Sequence, residues 1–199
     1  IDHHHNEVVC GFQNDSTYFG SILTPFYGDL DAYLAKYDSS GNVLWAKTIY
    51  GPGREMSYQS AVDTADNIYV VGEFSSPYVH FSPTDSIARI TSGSNYDFFL
   101  AKYDKNGNFL WARNGGNTIG TGSFRTSASK AVAIDPMGNV VIGGHYQKNL
   151  TIGSTTFAGK DDNLFLAKYT PSGSLTWAKD MKSNSWCWVN SIAIDDTGN

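Results

Sequence analysis

The sequence predicts an all-β protein built from β-propeller blades, and three observations support this prediction. One motif is written three times, at residues 31–47, 97–113 and 163–179, with starts 66 residues apart. A second motif, at residues 60–74 and 132–146, alternates with the first. Most predicted strands are apolar on both faces: Ile68 and Val70 point to one side, Tyr69 and Val71 to the other. A unit repeated at a fixed period, with sheets covered on both sides, is typical of stacked blades.

Each period carries two hairpins and therefore four antiparallel strands, which we label A to D. In the first copy of the long motif, strands are predicted at residues 33–38 and 42–49, around an Asp-x-x-Gly-Asn turn. Gly41, Gly107 and Gly173 supply the left-handed conformation that a tight turn needs, and the Asp and Asn side chains bond to the turn backbone. The shorter motif forms the A–B hairpin.

The two ends of the chain fall at the same point of the repeat. Residues 1–12 align with residues 62–74, so the predicted order is circularly permuted, BCD-ABCD-ABCD-A. One propeller domain is predicted over residues 1–199, with repeats at 2–62, 63–134 and 135–194, and residues 195–199 opening the next. Propellers typically have four to eight blades, so we expect a part of a larger propeller. Further blades of the same protein would complete the ring, or a second copy associating head to tail.

Composition excludes some functions. The net charge is −5, only 17% of residues are charged, and acids and bases are interspersed, so nucleic acid and anionic membranes are disfavoured as partners. No apolar run approaches the roughly 18 residues of a membrane helix. Cys10 and Cys187 have no CxxC spacing. We predict two unpaired thiols, and a disulfide between them requires the two ends of the chain to meet.

The two hairpin motifs resemble the seven-bladed propeller repeats called SBBP. The motif that carries the resemblance is Asp-x-Phe-Leu-Ala-Lys-Tyr-Asp-x-x-Gly-Asn-x-Leu-Trp-Ala-Lys, paired with Ala-Ile-Asp-x-x-Gly-Asn-Val-Tyr-Val. The resemblance covers nearly the whole chain and implies a secreted or cell-surface protein of Bacteroidota and related bacteria. It also implies export by the type IX system, although no sorting domain lies within these residues. It transfers no catalytic residue.

The most conspicuous repeated residues are predicted to be scaffold, because a residue that recurs in every blade is most simply explained by the way blades pack. Tryptophans are expected to fill the wide outer wedge between blades. Lysines are expected to pair with turn carboxylates or to lay their stems along neighbouring rings. These residues are Trp45, Trp111, Trp177, Lys36, Lys102 and Lys168.

Metal and cofactor sites are not predicted. The turns at residues 104–108 and 195–199 partly resemble calcium loops, but they lack the alternating acids and the late bidentate acid. Asp161 with Asp162, or Asp29 with Asp31, is the weaker calcium alternative. The run from His3 to His5 aligns with a hairpin turn, with adventitious metal binding or a tag remnant as alternatives.

The chain is predicted not to be an enzyme. It has no G-x-S-x-G and no H-E-x-x-H, and residues 115–122 lack the lysine of a phosphate loop. The alternative is an enzyme that processes a polysaccharide or a peptide, with an active site built from loops.

Specific binding is expected on the face that carries the B–C and D–A connections, because loops that vary over a uniform scaffold usually build recognition. These connections are predicted at residues 13–30, 50–59, 75–96, 114–130, 147–162 and 180–190. Their aromatic and arginine residues suit a protein or polysaccharide partner at the cell surface, with local loop packing as the alternative role. The candidates are Tyr50, Arg54, Tyr58, Phe124, Arg125, Trp186 and Trp188.

Overall fold

The computed structural model of the chain describes residues 1–89, 96–117, 127–185 and 187–198, and within these ranges the only regular secondary structure is β-strand. No helix long and apolar enough to cross a membrane occurs in them. The strands are β1 Glu7–Gln13, β2 Thr17–Phe19, β3 Ile22–Thr24, β4 Asp31–Tyr37, β5 Val43–Ile49, β6 Glu55–Val62, β7 Ile68–Phe74, β8 Tyr78–His80, β9 Ser86–Ala88, β10 Asp97–Tyr103, β11 Phe109–Gly116, β12 Ser127–Ile134, β13 Val140–Ile152, β14 Thr155–Tyr169 and β15 Leu175–Met181.

The long strands group into three antiparallel blades, which confirms the predicted order of strands. Blade I consists of β1, β4 and β5, which are strands B, C and D. Blade II consists of β6, β7, β10 and β11 in the order A to D. Blade III repeats that order with β12, β13, β14 and β15. Blades II and III are joined at their outer part, where Gly115 pairs with Ile152.

The expected final A strand is not formed. Residues 187–194, which include the start of the expected strand at Ser191, have no ladder partner. The segment is nevertheless packed on blade III: Val189 and Ile192 lie against Gly143 of β13.

The prediction that the strands are apolar on both faces is confirmed in blade II. Every residue of β7 and β10 is buried. Val71 and Leu100 face a core cluster shared with blade III, whereas Val70 and Phe99 face a cluster shared with blade I. The core therefore consists of the two layers between neighbouring blades.

The C–D turns have the predicted geometry. In blade I, the Asp38 carboxylate accepts hydrogen bonds from the backbone N–H groups of Ser40 and Asn42 at 2.9 and 2.8 Å. Gly41 has a φ of 81° and its N–H donates to the Asp38 carbonyl. Because the register is the same in each blade, the motif lysine of strand C lies opposite the motif tryptophan of strand D, as Lys36 lies opposite Trp45.

The B–C connections are more ordered than expected. Those of blades I and II contain the short hairpins β2–β3 and β8–β9. In blade III the prediction of a loop at residues 147–162 is wrong. Strands β13 and β14 extend through this segment, and their pairing continues as far as Ile152 and Thr155. The predicted loop at residues 50–59 is also too long, since β6 begins at Glu55.

Candidate interaction surface on the loop face

The repeated lysines and tryptophans form contacts within and between blades. Each lysine pairs with the aspartate of the A–B turn in its own blade. The pairs are Lys36 with Asp2 at 2.7 Å, Lys102 with Asp63 at 3.5 Å and Lys168 with Asp135 at 2.8 Å. In the third pair burial alone would raise the pKa of Asp135, but hydrogen bonds from Lys168 and Asn139 outweigh it and lower that pKa to about 2.

The lysine and the tryptophan of one blade also donate to a single backbone carbonyl of the next. The Lys36 ammonium and the Trp45 indole N–H donate to the Lys105 carbonyl of blade II at 3.3 and 3.2 Å. In blade II, Lys102 and Trp111 donate to the Pro171 carbonyl of blade III, both at 3.2 Å. We call this arrangement the Lys–Trp clamp. It ties strands C and D of one blade to the C–D turn of its neighbour.

A glycine in the receiving turn makes room for each tryptophan. A Cβ atom added to Gly107 would lie 2.9 Å from Cδ2 of Trp45, and one added to Gly173 would lie 2.9 Å from Cδ2 of Trp111. Both glycines also have positive φ, 77° and 82°. Each of them therefore serves the turn and the contact between blades.

On the opposite face of the blades, four aromatic rings form a continuous row. Tyr27 and Tyr50 are stacked with ring centroids 4.1 Å apart, and Tyr50 stacks on His80 at 5.0 Å. Tyr78 meets His80 edge to face at 5.3 Å. We call these four residues the aromatic row. Its two end residues are the most accessible, since Tyr27 is 55% exposed and Tyr78 is 47% exposed.

The backbone holds the row in place. Tyr50 and His80 exchange backbone hydrogen bonds of 3.1 and 2.7 Å, which links the end of blade I to β8. Next to the row, Arg54 is paired with Asp29 at 2.6 Å, with both side chains largely exposed. Tyr27 and Tyr50 also line a cleft of about 380 Å³ between blades I and II, which includes polar groups such as Ser82. The surface therefore combines the flat aromatic rings of the row, the Arg54–Asp29 ion pair and the adjacent cleft.

The sequence-predicted candidates are only partly brought together. Tyr50 lies in the aromatic row and Arg54 lies close to it. Tyr58 lies elsewhere: its hydroxyl donates to Glu73 at 2.7 Å and Lys130 lies 3.0 Å above its ring. Trp188 is 58% exposed and meets His145 edge to face. The remaining candidates, Phe124, Arg125 and Trp186, lie outside the described residues.

Sequence reasoning missed Tyr27, Tyr78 and His80. Tyr78 and His80 belong to a three-residue strand, and Tyr27 belongs to an irregular segment. No motif marks them. The alternation Tyr-Val-His at residues 78–80 is the one available signal, because it places both rings on the same side of a strand.

Two carboxyl groups are buried beneath this face. Glu55, at the start of β6, and Asp31, at the start of β4, are fully buried. Ser76 donates its hydroxyl hydrogen to Glu55 and accepts a hydrogen bond from the Gly53 N–H at 2.7 Å. Burial raises the pKa of Glu55, the hydrogen bond from Ser76 lowers it and the charge of Asp31 raises it, and together these effects place it at about 8. Glu55 is thus protonated at neutral pH and fixes the D–A connection.

Among the described residues, no group of three or more His, Cys, Asp and Glu side chains could hold a metal ion. The His3 ring contacts Asp66 at 2.9 Å and the His4 ring contacts it at 3.6 Å. The carboxylate of Asp104, in one calcium-like turn, accepts hydrogen bonds from two N–H groups of its own turn. Cys10 and Cys187 are both free thiols.

Comparison with known proteins agrees with the repeat architecture. No protein-family model matches the chain. An uncharacterized WD repeat-containing protein, L264 of Acanthamoeba polyphaga mimivirus, is 32% identical over 160 residues, which cover 74% of this chain. With this similarity added to the three antiparallel blades, the fold class is decided. The chain is a propeller-type repeat protein.

The second relative is the regulatory protein FlaEY of Caulobacter vibrioides, 25% identical over 152 residues, which cover 75% of this chain. The matched parts make up 11% of the mimivirus protein and 15% of the Caulobacter protein. The propeller-type repeats of this chain thus correspond to a small part of each relative.

Proposed function

We propose that this propeller-type protein is a non-catalytic interaction module that binds a protein partner through the aromatic row and the hairpins around it. The observation that carries the proposal is the row itself, with two half-exposed tyrosines at its ends. Tyrosines and arginines supply much of the binding energy in protein interfaces. In the Lys–Trp clamp, by contrast, the side chains contact other blades.

The names of the two relatives support this proposal at the level of class. One is a WD repeat-containing protein, and WD repeat proteins typically mediate protein interactions. The other is named a regulatory protein. A secreted or cell-surface location, and membership of the SBBP family, remain proposals that rest on the resemblance of the two hairpin motifs.

A binding selection tests the proposal. We would immobilise the chain, select ligands from a displayed peptide library, and measure their affinity for a Tyr27→Ala/Tyr78→Ala variant. The matched control is Tyr18→Ala, which removes a tyrosine that is 71% exposed on β2 and lies outside the row. We expect the double variant to lose at least about tenfold in affinity and the control to lose none. Ligands that bind the double variant as tightly as the original chain would contradict the proposal.

A polysaccharide is the second candidate ligand. The rings of Tyr27 and Tyr50 line a cleft with polar residues, and a combination of aromatic rings and polar groups suits the apolar face and the hydroxyls of a sugar. A glycan array probed with the same variants tests this candidate. Turnover of a bound glycan or peptide, abolished by Asp29→Asn, would instead support the loop-built enzyme.

A further inference from the structure

The cleft beside the aromatic row contains a lysine without a partner. Lys47 of β5 lines this cleft between blades I and II together with Tyr27 and Tyr50. It is half-buried, and its ammonium forms no hydrogen bond or ion pair with a described residue. Its stem lies on the C–D turn of blade II, with Cε 3.1 Å from a Cβ atom added to Gly107. Because partial burial removes hydration from a charge, such an ammonium favours an anionic ligand.

The equivalent position of blade II shows how the fold can engage a cation here. Arg113 occupies the position of Lys47 in the register of strands C and D, and it lines the equivalent cleft between blades II and III. Its Nε donates to the Gly173 carbonyl at 2.8 Å and its Nη1 donates to the Ala112 carbonyl at 2.6 Å. The two clefts therefore differ in that the charge of Lys47 is available to a ligand.

The acidic side chain of the same cleft is engaged by its own turn. Asp85 lines the cleft, and its carboxylate accepts hydrogen bonds from the hydroxyls of Ser82 and Thr84 at 2.5 and 2.9 Å. These two hydrogen bonds hold the pKa of Asp85 below its usual range. The carboxylate is thus satisfied locally, and Lys47 remains as the charged group that a ligand can engage.

Apolar side chains line much of the remaining wall of the cleft. They include Leu23, which is 45% exposed, and the prolines Pro25 and Pro83. Phe81 and Phe109 also line it, and their rings are stacked with centroids 5.5 Å apart. A ligand that fills the cleft therefore needs an apolar group next to its negative charge.

We propose that the cleft binds an acidic side chain of the protein partner together with a neighbouring apolar residue. This inference rests on the proposed function, in which the partner contacts the aromatic row. The carboxylate of an aspartate or glutamate pairs with the Lys47 ammonium, and the apolar residue contacts Leu23 and Phe109. The cleft removes water from the ion pair, so the pair contributes more than it would on an open surface.

Parallel selections from one random displayed peptide library test the charge preference. One selection uses the unmodified chain and another uses Lys47→Glu. We expect the unmodified chain to enrich peptides with aspartate or glutamate at one position, and the variant to enrich lysine or arginine there. Lys105→Glu is the matched control, because it makes the same change in net charge at an exposed turn residue on the opposite face. It should select the same peptides as the unmodified chain.

Affinities of the enriched peptides then test the ion pair itself. The peptides are synthesised with amidated C-termini, so that any essential carboxylate belongs to a side chain. We expect Lys47→Met, which keeps the apolar stem, to weaken binding about tenfold, and Lys47→Arg to retain most of the affinity. Replacing the acidic residue of the peptide by its amide should cost the same. Both changes together should cost little more than either one, because each removes the same pair.

The outcomes separate this inference from the proposed function. Peptides that lose affinity for Tyr27→Ala/Tyr78→Ala, yet show no acidic preference or bind Lys47→Met undiminished, overturn the inference and leave the proposed function intact. Peptides that bind the double tyrosine variant undiminished contradict both, as does a library that yields no ligand. Binding of acidic glycans alone, lost in Lys47→Met, would also overturn the inference, since the anion would then belong to a sugar.

Discussion

The indole ring of Trp111 lies directly over Gly173, 62 positions further along the chain (173 − 111) and in the next blade, with 2.9 Å between the ring and the point where a side chain would begin. The same ring donates its N–H to the Pro171 carbonyl of that turn. Since Trp45 has the same relationship to Gly107, the motif residues join each blade to its neighbour.

Alanine in place of glycine should have different effects in two turns of equal shape. Gly41 and Gly107 have φ values of 81° and 77°, so Gly→Ala carries the same backbone penalty of about 1–2 kcal/mol at both. At position 107 the new methyl group also meets Trp45, which adds about 1–3 kcal/mol. Urea unfolding of the two variants checks this difference. Equal losses of unfolding free energy would show that Trp45 does not rest on the turn.

The pair of Lys102 and Asp63 should be strongly coupled. Both side chains are more than nine-tenths buried, so Lys102→Met leaves a carboxylate without its partner and should cost about 3–5 kcal/mol. Asp63→Asn in the same chain removes the unpaired charge and should restore part of the loss. A double-mutant cycle by chemical unfolding measures the coupling. Additive losses would mean that the two groups do not interact.

The buried carboxyl of Glu55 should make stability fall as pH rises. The unfolded chain releases this proton near pH 4.5, while burial raises the pKa of the folded state to about 8. The folded state therefore binds more protons between these values, and stability declines by about 1.4 kcal/mol per pH unit across that window because of this group. The stabilisation that Glu55 contributes is fully present below pH 4.5.

Glu55→Gln tests this assignment, because glutamine resembles the protonated acid and cannot ionise. We expect thermal unfolding of the variant to depend less on pH between 5 and 8. Glu7→Gln, at an exposed position of β1, is the control and should leave the pH profile unchanged. A profile that Glu55→Gln does not flatten would place the titrating group elsewhere.

The sequence allowed much of the fold to be predicted, because turns and apolar alternation are local signals. The Asp-x-x-Gly-Asn turn at residues 38–42 could be predicted from residues that are adjacent in the chain. The same is true of strand β7, which is apolar on both faces. The short strands β2 and β8 were missed, since three residues are too few to show a period. Residues 191–194 were expected as the start of a strand, and no described strand pairs with them.

The functional residues were harder to predict, because their partners are distant or not determined by residue type. The acceptor of the Lys–Trp clamp is a backbone carbonyl, which Lys105 and Pro171 supply equally well. Every residue has a backbone carbonyl, so the sequence does not show which one accepts these hydrogen bonds. The aromatic row depends on the pairing of Tyr50 with His80 across 30 positions (80 − 50). The burial of Glu55 runs against the usual exposure of acids.

The most direct test of the account compares alanine at the three motif tryptophans, at a concentration where the chain is monomeric. Trp45 and Trp111 each have a receiving turn, so replacing either should cost about 2–4 kcal/mol of unfolding free energy. For Trp177 no receiving turn lies among the described residues, so Trp177→Ala should cost less than about 1 kcal/mol. Urea unfolding of the three variants gives these values. Equal losses at all three positions would contradict the account, because each tryptophan would then act within its own blade.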